Sequence, residues 1–134
     1  PHITVMVGYP WETKQDAIST LNLAKYLLDN GWVKTLQSTI IVPYPGTALH
    51  TQAIENDWFR LDPTDYEKYD MTEPMLLTPD MKPNEVTQIC DDIYKLFFRP
   101  KYVIRRLLKI TSLNDVIYSM KGIKKVIGHI KDFS

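Results

Sequence analysis

The first residues of the chain form a nearly continuous apolar run. The segment from Ile3 to Val7 contains three β-branched apolar residues, one threonine and one methionine. Such a run predicts a strand that is buried on both faces of a parallel sheet. Thr13, with Asp16 three residues later, has the pattern of a capping box, and apolar residues then recur at helical spacing as far as Asn30-Gly31. We therefore predict a strand followed by a helix.

The same order of elements is predicted a second time. Residues of about 36–42 are rich in β-branched side chains, and Pro43-Tyr44-Pro45-Gly46-Thr47 separates them from another helical pattern. Strands that are joined through a helix lie parallel, with a right-handed crossover. The predicted fold class is therefore α/β, with two β/α units in residues 1–56.

The rest of the chain divides into a connection and a helical tail. Residues 57–82 are rich in proline, aspartate and aromatic residues and have no helical period. An ordered connection of this length typically covers a site. Residues 83–134 predict an all-helical C-terminal tail, with helices that start near Pro83, Pro100 and Ser112.

The zero net charge of the chain conceals a basic C-terminal segment. Residues 99–134 carry nine lysines and arginines against two acids, so the remainder of the chain is acidic. A basic segment can meet nucleic acid, anionic lipid or an acidic neighbouring domain, or it can dock on the acidic part of its own chain. The sequence leaves these alternatives open.

Cysteine content and hydropathy exclude several classes of protein. Cys90 is the single cysteine, and one thiol forms no internal disulfide and holds no zinc ion or iron-sulfur cluster. No apolar stretch approaches the roughly 20 residues that span a bilayer, and no signal peptide opens the chain. We therefore expect a cytoplasmic protein without a membrane span.

Two parallel strands do not make a stable sheet by themselves. Both strands are apolar, and a two-stranded sheet leaves both outer edges unpaired. We therefore expect the chain to be the C-terminal part of a larger polypeptide whose missing N-terminal part supplies the neighbouring strands. The isolated piece is expected to dimerise through its unpaired strand edges.

Both predicted strands end in a turn that contains glycine and proline. The sequences are "VGYPWET" after the first strand and "VPYPGT" after the second. The carboxyl ends of parallel strands face one rim, where β/α enzymes bind their ligands. Glycine allows close approach of the backbone, and tyrosine offers a flat face with a hydroxyl group. This chemistry suits adenine or another flat ligand, although such turns also occur in purely structural loops.

These two turns carry a resemblance to a known family. "TVMVGYPWET", followed about thirty residues later by "LQSTIIVPYPGTALH", resembles the fifth and sixth β/α units of the radical S-adenosylmethionine (SAM) enzymes. The similarity is greatest to the subgroup that has a cobalamin-binding domain, which reads Gly-Phe-Pro-Gly-Glu-Thr where this chain has Gly8-Tyr9-Pro10-Trp11-Glu12-Thr13. Trp11 is the main departure from that pattern.

The resemblance implies a fold, a function and a set of cofactors. The fold is the last two β/α units of a partial TIM-type barrel, followed by the helical tail. The implied function is a radical SAM oxidoreductase-like enzyme, in which a 4Fe-4S cluster cleaves SAM to start radical chemistry on an unknown substrate. Cobalamin is a further cofactor of the subgroup. The cluster motif lies outside this chain, so the chain alone is expected to be inactive.

The resemblance also assigns binding residues, although it assigns no catalytic residue and no metal ligand to this chain. The implied SAM-binding residues lie at the two strand ends: Val7, Gly8, Tyr9, Val42, Pro43 and Tyr44. Period-two spacing places Gln37 and Thr39 on one face of the second strand, and they are predicted to face the substrate. The alternative is that they hydrogen-bond to each other or to buried water, and the sequence leaves open which face of the strand lines the interior. The alternative function is a non-catalytic α/β module that binds a nucleotide or a partner and has a basic helical tail.

Overall fold

Two parallel strands and four α-helices make up residues 1–108, the part of the chain that this computed structural model describes. Their order is β1 (His2–Val7), α1 (Lys14–Asp29), β2 (Thr35–Ile40), α2 (Ala48–Glu55), α3 (Pro83–Lys95) and α4 (Pro100–Leu107). Single 3-10 turns lie at Tyr66–Lys68 and Leu96–Phe98. The predicted α/β class is confirmed. The helix predicted to start at Ser112 lies outside the described residues.

The ends of α1 follow directly from local sequence. The Thr13 side chain accepts a hydrogen bond from the Asp16 amide, and the Asp16 carboxylate accepts one from the Thr13 amide at 3.0 Å. This reciprocal pair is the predicted capping box, which provides partners for two amide groups at the helix N-terminus. At the other end, the Asn30 amide donates to the Tyr26 carbonyl at 3.0 Å. The predicted start and end of this helix are both confirmed.

The register of the sheet separates its two faces. β1 and β2 pair in parallel from His2 opposite Thr35 to Val7 opposite Ile40. One face carries Ile3, Val5 and Val7 of β1, opposite the buried residues Leu36, Ser38 and Ile40 of β2. The prediction that β1 is buried on both faces is wrong for the described residues, because Met6 on the other face is 44% exposed. On that second face His2, Thr4, Met6 and Gln37 are exposed in the part of the chain that the structure describes.

Helices α1 and α3 cover the buried face of the sheet. Helix α3 contacts both strands and α1, and it places Val86, Cys90 and Ile93 in the core. The Tyr94 hydroxyl donates to the Ser38 carbonyl at 2.7 Å and accepts from the Ser38 amide at 3.3 Å. This one side chain therefore binds both peptide groups of a buried strand position, which fixes α3 against β2.

Helix α4 docks against the C-terminal end of α1. Arg99, just before α4, forms an ion pair with Asp29 at 2.7 Å, and Arg105 donates to the Leu28 carbonyl at 3.3 Å. A cation near the last turn of a helix satisfies free carbonyl groups and interacts favourably with the helix dipole. These two basic residues therefore bind their own chain, and the basic positions after Leu108 lie outside the described residues.

In residues 1–108 no helix is long and apolar enough to cross a membrane.

The connection between α2 and α3 is held by backbone pairing and one carboxylate. Phe59 and Leu76 form an antiparallel bridge, flanked by a hydrogen bond from the Arg60 amide to the Met75 carbonyl at 2.8 Å. The Glu73 carboxylate binds Arg60 at 2.7 Å and Lys68 at 3.2 Å. These contacts close a loop whose tyrosines lie beside the turn after β2.

Candidate functional site

The two glycine- and proline-containing turns follow neighbouring strands and lie at the same edge of the sheet. The Ile41 amide donates to the Val7 carbonyl at 2.9 Å, so the chains stay paired just beyond the ends of β1 and β2. This edge is formed by the carboxyl ends of parallel strands, which is where α/β proteins commonly bind ligands. We call this edge, residues 7–13 and 41–47, the rim.

Gly8 and Glu12 determine the shape of the turn after β1. Gly8 has a φ of +92°, and a Cβ atom added to it would lie 3.0 Å from Cγ1 of Val86. The Gly8 amide donates to the buried carboxylate of Glu12 at 2.5 Å. The glycine is therefore required both by its backbone conformation and by the close approach of α3. Glu12 acts on the rim by fixing this turn.

Burial changes the protonation behaviour of Glu12. Only 7% of Glu12 is exposed to solvent. Burial raises the pKa of its carboxyl group above 4.5, although the Gly8 and Tyr9 amides oppose that change by favouring the charged form. Glu12 is not among the binding residues that the resemblance implies. In the sequence, the structural role of Glu12 is indicated by an acidic residue that lies four positions after the glycine at the end of the strand.

A second set of local contacts forms the turn after β2. The Thr47 hydroxyl donates to the Tyr44 carbonyl at 2.7 Å and accepts from the His50 amide at 3.3 Å. Thr47 is thus the N-cap of α2 and also closes the turn. Gly46, inside the turn, has a φ of +85° with open space where a Cβ atom would lie.

The predicted cofactor-binding residues differ in how far they reach solvent. Four of the six residues are buried inside the protein: Val7, Gly8, Val42 and Pro43. Tyr9 is partly buried, and Tyr44 is 44% exposed. Tyr9 and Tyr44 are therefore the two residues of this set, one from each turn, whose side chains offer a large surface to a ligand. The binding roles of all six residues stay predictions.

The two predicted substrate-facing residues share the uncovered face of the sheet. Gln37 is opposite Thr4 and Thr39 is opposite Met6 in the register. Gln37 is exposed and Thr39 is partly buried, whereas their neighbour Ser38 points into the core. The sequence alone does not show which face of the sheet the helices cover. In the structure, α1 and α3 pack on the face that contains Ser38. The substrate contact itself stays a prediction.

Aromatic rings surround the rim in two groups. Tyr9 stacks on Trp11 at 5.3 Å between ring centroids, and Trp11 meets the edge of Trp58 at 6.1 Å. Beside the second turn, Tyr69 lies 5.9 Å from Tyr44 and 5.6 Å from Tyr66. We call Tyr44, Tyr66 and Tyr69 the tyrosine cluster. The sequence predicted an ordered connection that covers a site, but it did not indicate that Tyr66 and Tyr69 lie beside Tyr44.

Cys90 belongs to the core and not to the rim. Its sulfur lies 3.2 Å from the Ser38 hydroxyl, and burial raises its pKa to about 11. A thiol in this state is a poor nucleophile and a poor metal ligand. Within residues 1–108 no group of three histidine, cysteine or acidic side chains could hold a metal ion.

The chain is distantly similar to one curated protein. The chain is 29% identical over 105 residues to an uncharacterized methyltransferase of Pyrococcus horikoshii. The alignment covers 78% of this chain and 22% of the relative, so the chain spans about a fifth of the length of that protein. No family model matches the chain, and no solved structure matches it.

Proposed function

We propose that this chain forms the last two β/α units of a partial barrel in a radical SAM enzyme, and that its rim binds the adenosyl part of SAM. In this proposal Tyr9 and Tyr44 contact the adenine ring, and Gln37 and Thr39 face the substrate. The neighbouring strands come from an N-terminal part of the same polypeptide. The catalytic steps take place on groups that this chain does not hold.

The observation that carries the proposal is the division of the sheet into two different faces. Helices α1 and α3 cover the face that contains Ser38, while Thr4 and Gln37 lie opposite one another on the uncovered face. In a (β/α) barrel the helices lie outside and the other face of each strand lines the interior. A polar uncovered face that leads up to a rim with exposed tyrosines has the arrangement of such an interior.

SAM and the 4Fe-4S cluster of the proposed enzyme fit this chain differently. The rim fits a flat ring, since the Tyr44 side chain is partly exposed and the Gly8 turn is held in place by Glu12. The chain does not fit a 4Fe-4S cluster, because its single cysteine, Cys90, is buried against Ser38 in the core. The cluster ligands therefore belong elsewhere in the proposed enzyme. Cobalamin remains a prediction from the resemblance.

The distant relative favours one reaction among several. Radical SAM chemistry leaves methyl transfer, cyclisation, carbon-sulfur bond formation and oxidative rearrangement open. The relative from Pyrococcus horikoshii is named a methyltransferase, and enzymes of that kind commonly take the methyl group from SAM. We therefore propose methyl transfer as the reaction of the whole enzyme. Its substrate remains to be identified.

Replacing Tyr9 tests the place of SAM in this proposal. An aromatic contact contributes about 0.5–1.5 kcal/mol beyond buried area, so Tyr9→Ala should weaken SAM binding by the full-length enzyme about twofold to twelvefold. Equilibrium dialysis with labelled SAM measures the change. Tyr26→Ala is the matched control, because Tyr26 is 52% exposed on α1, away from the rim. Equal effects of the two substitutions would contradict the proposal.

A further inference from the structure

Trp11 packs against Tyr9 inside the turn that follows β1. The Glu12 amide donates to the Tyr9 carbonyl at 2.9 Å, which closes this turn and brings the side chains of its first and third residues together. The rings of Trp11 and Tyr9 then stack, with centroids 5.3 Å apart and an interplanar angle of 28°. Trp11 is also the main departure from the pattern of the subgroup, which has glycine at this position. A glycine has no side chain to make such a contact.

Trp11 is itself held by a residue of the connection. The Trp58 ring meets the Trp11 ring edge-on, with centroids 6.1 Å apart and an interplanar angle of 70°. The backbone of Trp58 is fixed on both sides, because its amide donates to the Ala53 carbonyl at 2.9 Å and its carbonyl accepts from the Leu77 amide at 2.8 Å. This anchored ring limits the positions that Trp11 can take, although Trp11 is 57% exposed.

The orientation of the Tyr9 ring depends on side-chain contacts. The Glu12 carboxylate binds the Gly8 amide and so fixes the backbone of the turn, but a backbone contact leaves the side-chain torsions of Tyr9 unset. The Tyr9 hydroxyl donates to the Met6 sulfur at 3.6 Å, and a thioether is a weak acceptor. The stack on Trp11 is the stronger of these two side-chain contacts.

We propose that Trp11 is a positioning residue for SAM, because it holds the Tyr9 ring in the orientation that contacts adenine at the rim. This inference rests on the proposed function, in which Tyr9 makes that contact. An unrestrained tyrosine side chain is spread over three staggered χ1 rotamers. Binding to one rotamer weakens the apparent affinity in proportion to the fraction of molecules in that rotamer. Loss of the stack should therefore weaken SAM binding by up to about threefold.

A double-mutant cycle in the full-length enzyme, measured by equilibrium dialysis, tests this dependence on Tyr9. Trp11→Ala should weaken SAM binding by up to about threefold, and no more than Tyr9→Ala does. In a Tyr9→Ala background it should have no effect, because no ring is left to position. Trp11→Phe keeps an aromatic face and should bind SAM almost as well as the unchanged enzyme. Equal losses from Trp11→Ala in both backgrounds would overturn the inference.

The orientation of Tyr9 can also be measured without SAM, by nuclear magnetic resonance of the chain with isotope-labelled methionine methyl groups. The Met6 methyl signal reports the position of the ring, since the Tyr9 hydroxyl contacts the Met6 sulfur. This signal should move in Trp11→Ala. It should stay in place in Trp32→Ala, which removes a tryptophan of similar exposure that pairs with a ring of α1. The signal of the fully buried Met75 is the control for the fold.

The two measurements separate this inference from the proposed function. If Tyr9→Ala leaves SAM binding unchanged, the proposed adenine contact is wrong, and so is the role of Trp11 in SAM binding. The Met6 signal still decides in that case whether Trp11 holds the ring. If Tyr9→Ala weakens SAM binding and Trp11→Ala changes neither the binding nor the Met6 signal, the proposed function stands and the inference is overturned.

Discussion

Gly8→Ala is expected to lower the free energy of unfolding by about 2–4 kcal/mol, a large fraction of the stability of a small domain. About 1–3 kcal/mol comes from forcing a residue with a Cβ atom into a positive φ. The rest comes from overpacking, because the new methyl group would lie 3.0 Å from Val86. Urea unfolding, followed by circular dichroism of the 134-residue chain, measures the loss.

Two further variants separate the backbone effect from the packing effect. Gly46 has a similar φ of +85° but open space at the Cβ position, so Gly46→Ala should show the backbone effect alone and cost less than Gly8→Ala. In a Gly8→Ala, Val86→Ala double variant, part of the cost of the glycine substitution should disappear, since the clash is relieved. An equal cost at Gly8 and Gly46, with no recovery in the double variant, would show that α3 does not pack against this turn.

Glu12→Ala is expected to cost about 1–3 kcal/mol of stability at neutral pH, because it leaves the buried Gly8 amide without its acceptor. Glu12→Gln keeps a carbonyl oxygen in the same place and removes the charge. It should therefore be as stable as the unchanged protein, or more stable, at pH 7. Urea unfolding of both variants measures these changes. If Glu12→Gln were as damaging as Glu12→Ala, the charge and not the hydrogen bond would hold the turn.

The raised pKa of Glu12 also predicts how stability changes with pH. The folded protein holds the proton of Glu12 more tightly than the unfolded chain does. This contribution to stability is fully present below pH 4.5 and is lost as the pH rises through the higher folded value. The stability of Glu12→Gln relative to the unchanged protein should therefore increase as the pH rises from 4.5 to neutral. A constant difference across that range would contradict a raised pKa.

Local signals made much of the fold predictable from the sequence. The Thr13 and Asp16 capping box, the Asn30 stop and the Pro83 start depend on residues close together in the chain, and the structure confirms all three. Parallel pairing of the strands followed from the β/α order. These features need no knowledge of distant contacts, so one sequence is sufficient to predict them.

The parts that the sequence did not predict depend on contacts between distant residues. Which face of β2 is covered is decided by α3, whose Tyr94 binds Ser38 from 56 positions away along the chain. Thr4 and Met6 looked compatible with burial, although they lie on the uncovered face. The gathering of Tyr44 with Tyr66 and Tyr69 likewise depends on how the connection folds back. No spacing rule contains that information.

We propose that the rim belongs to a radical SAM enzyme, and electron paramagnetic resonance of the full-length protein is the decisive test of that proposal. The protein should be purified without oxygen, analysed for iron and sulfide, reduced, and then examined by electron paramagnetic resonance with and without SAM. We predict a 4Fe-4S signal that shifts when SAM is added. A full-length protein with no iron and no shift would contradict the account and would leave the two turns as structural loops of a binding module.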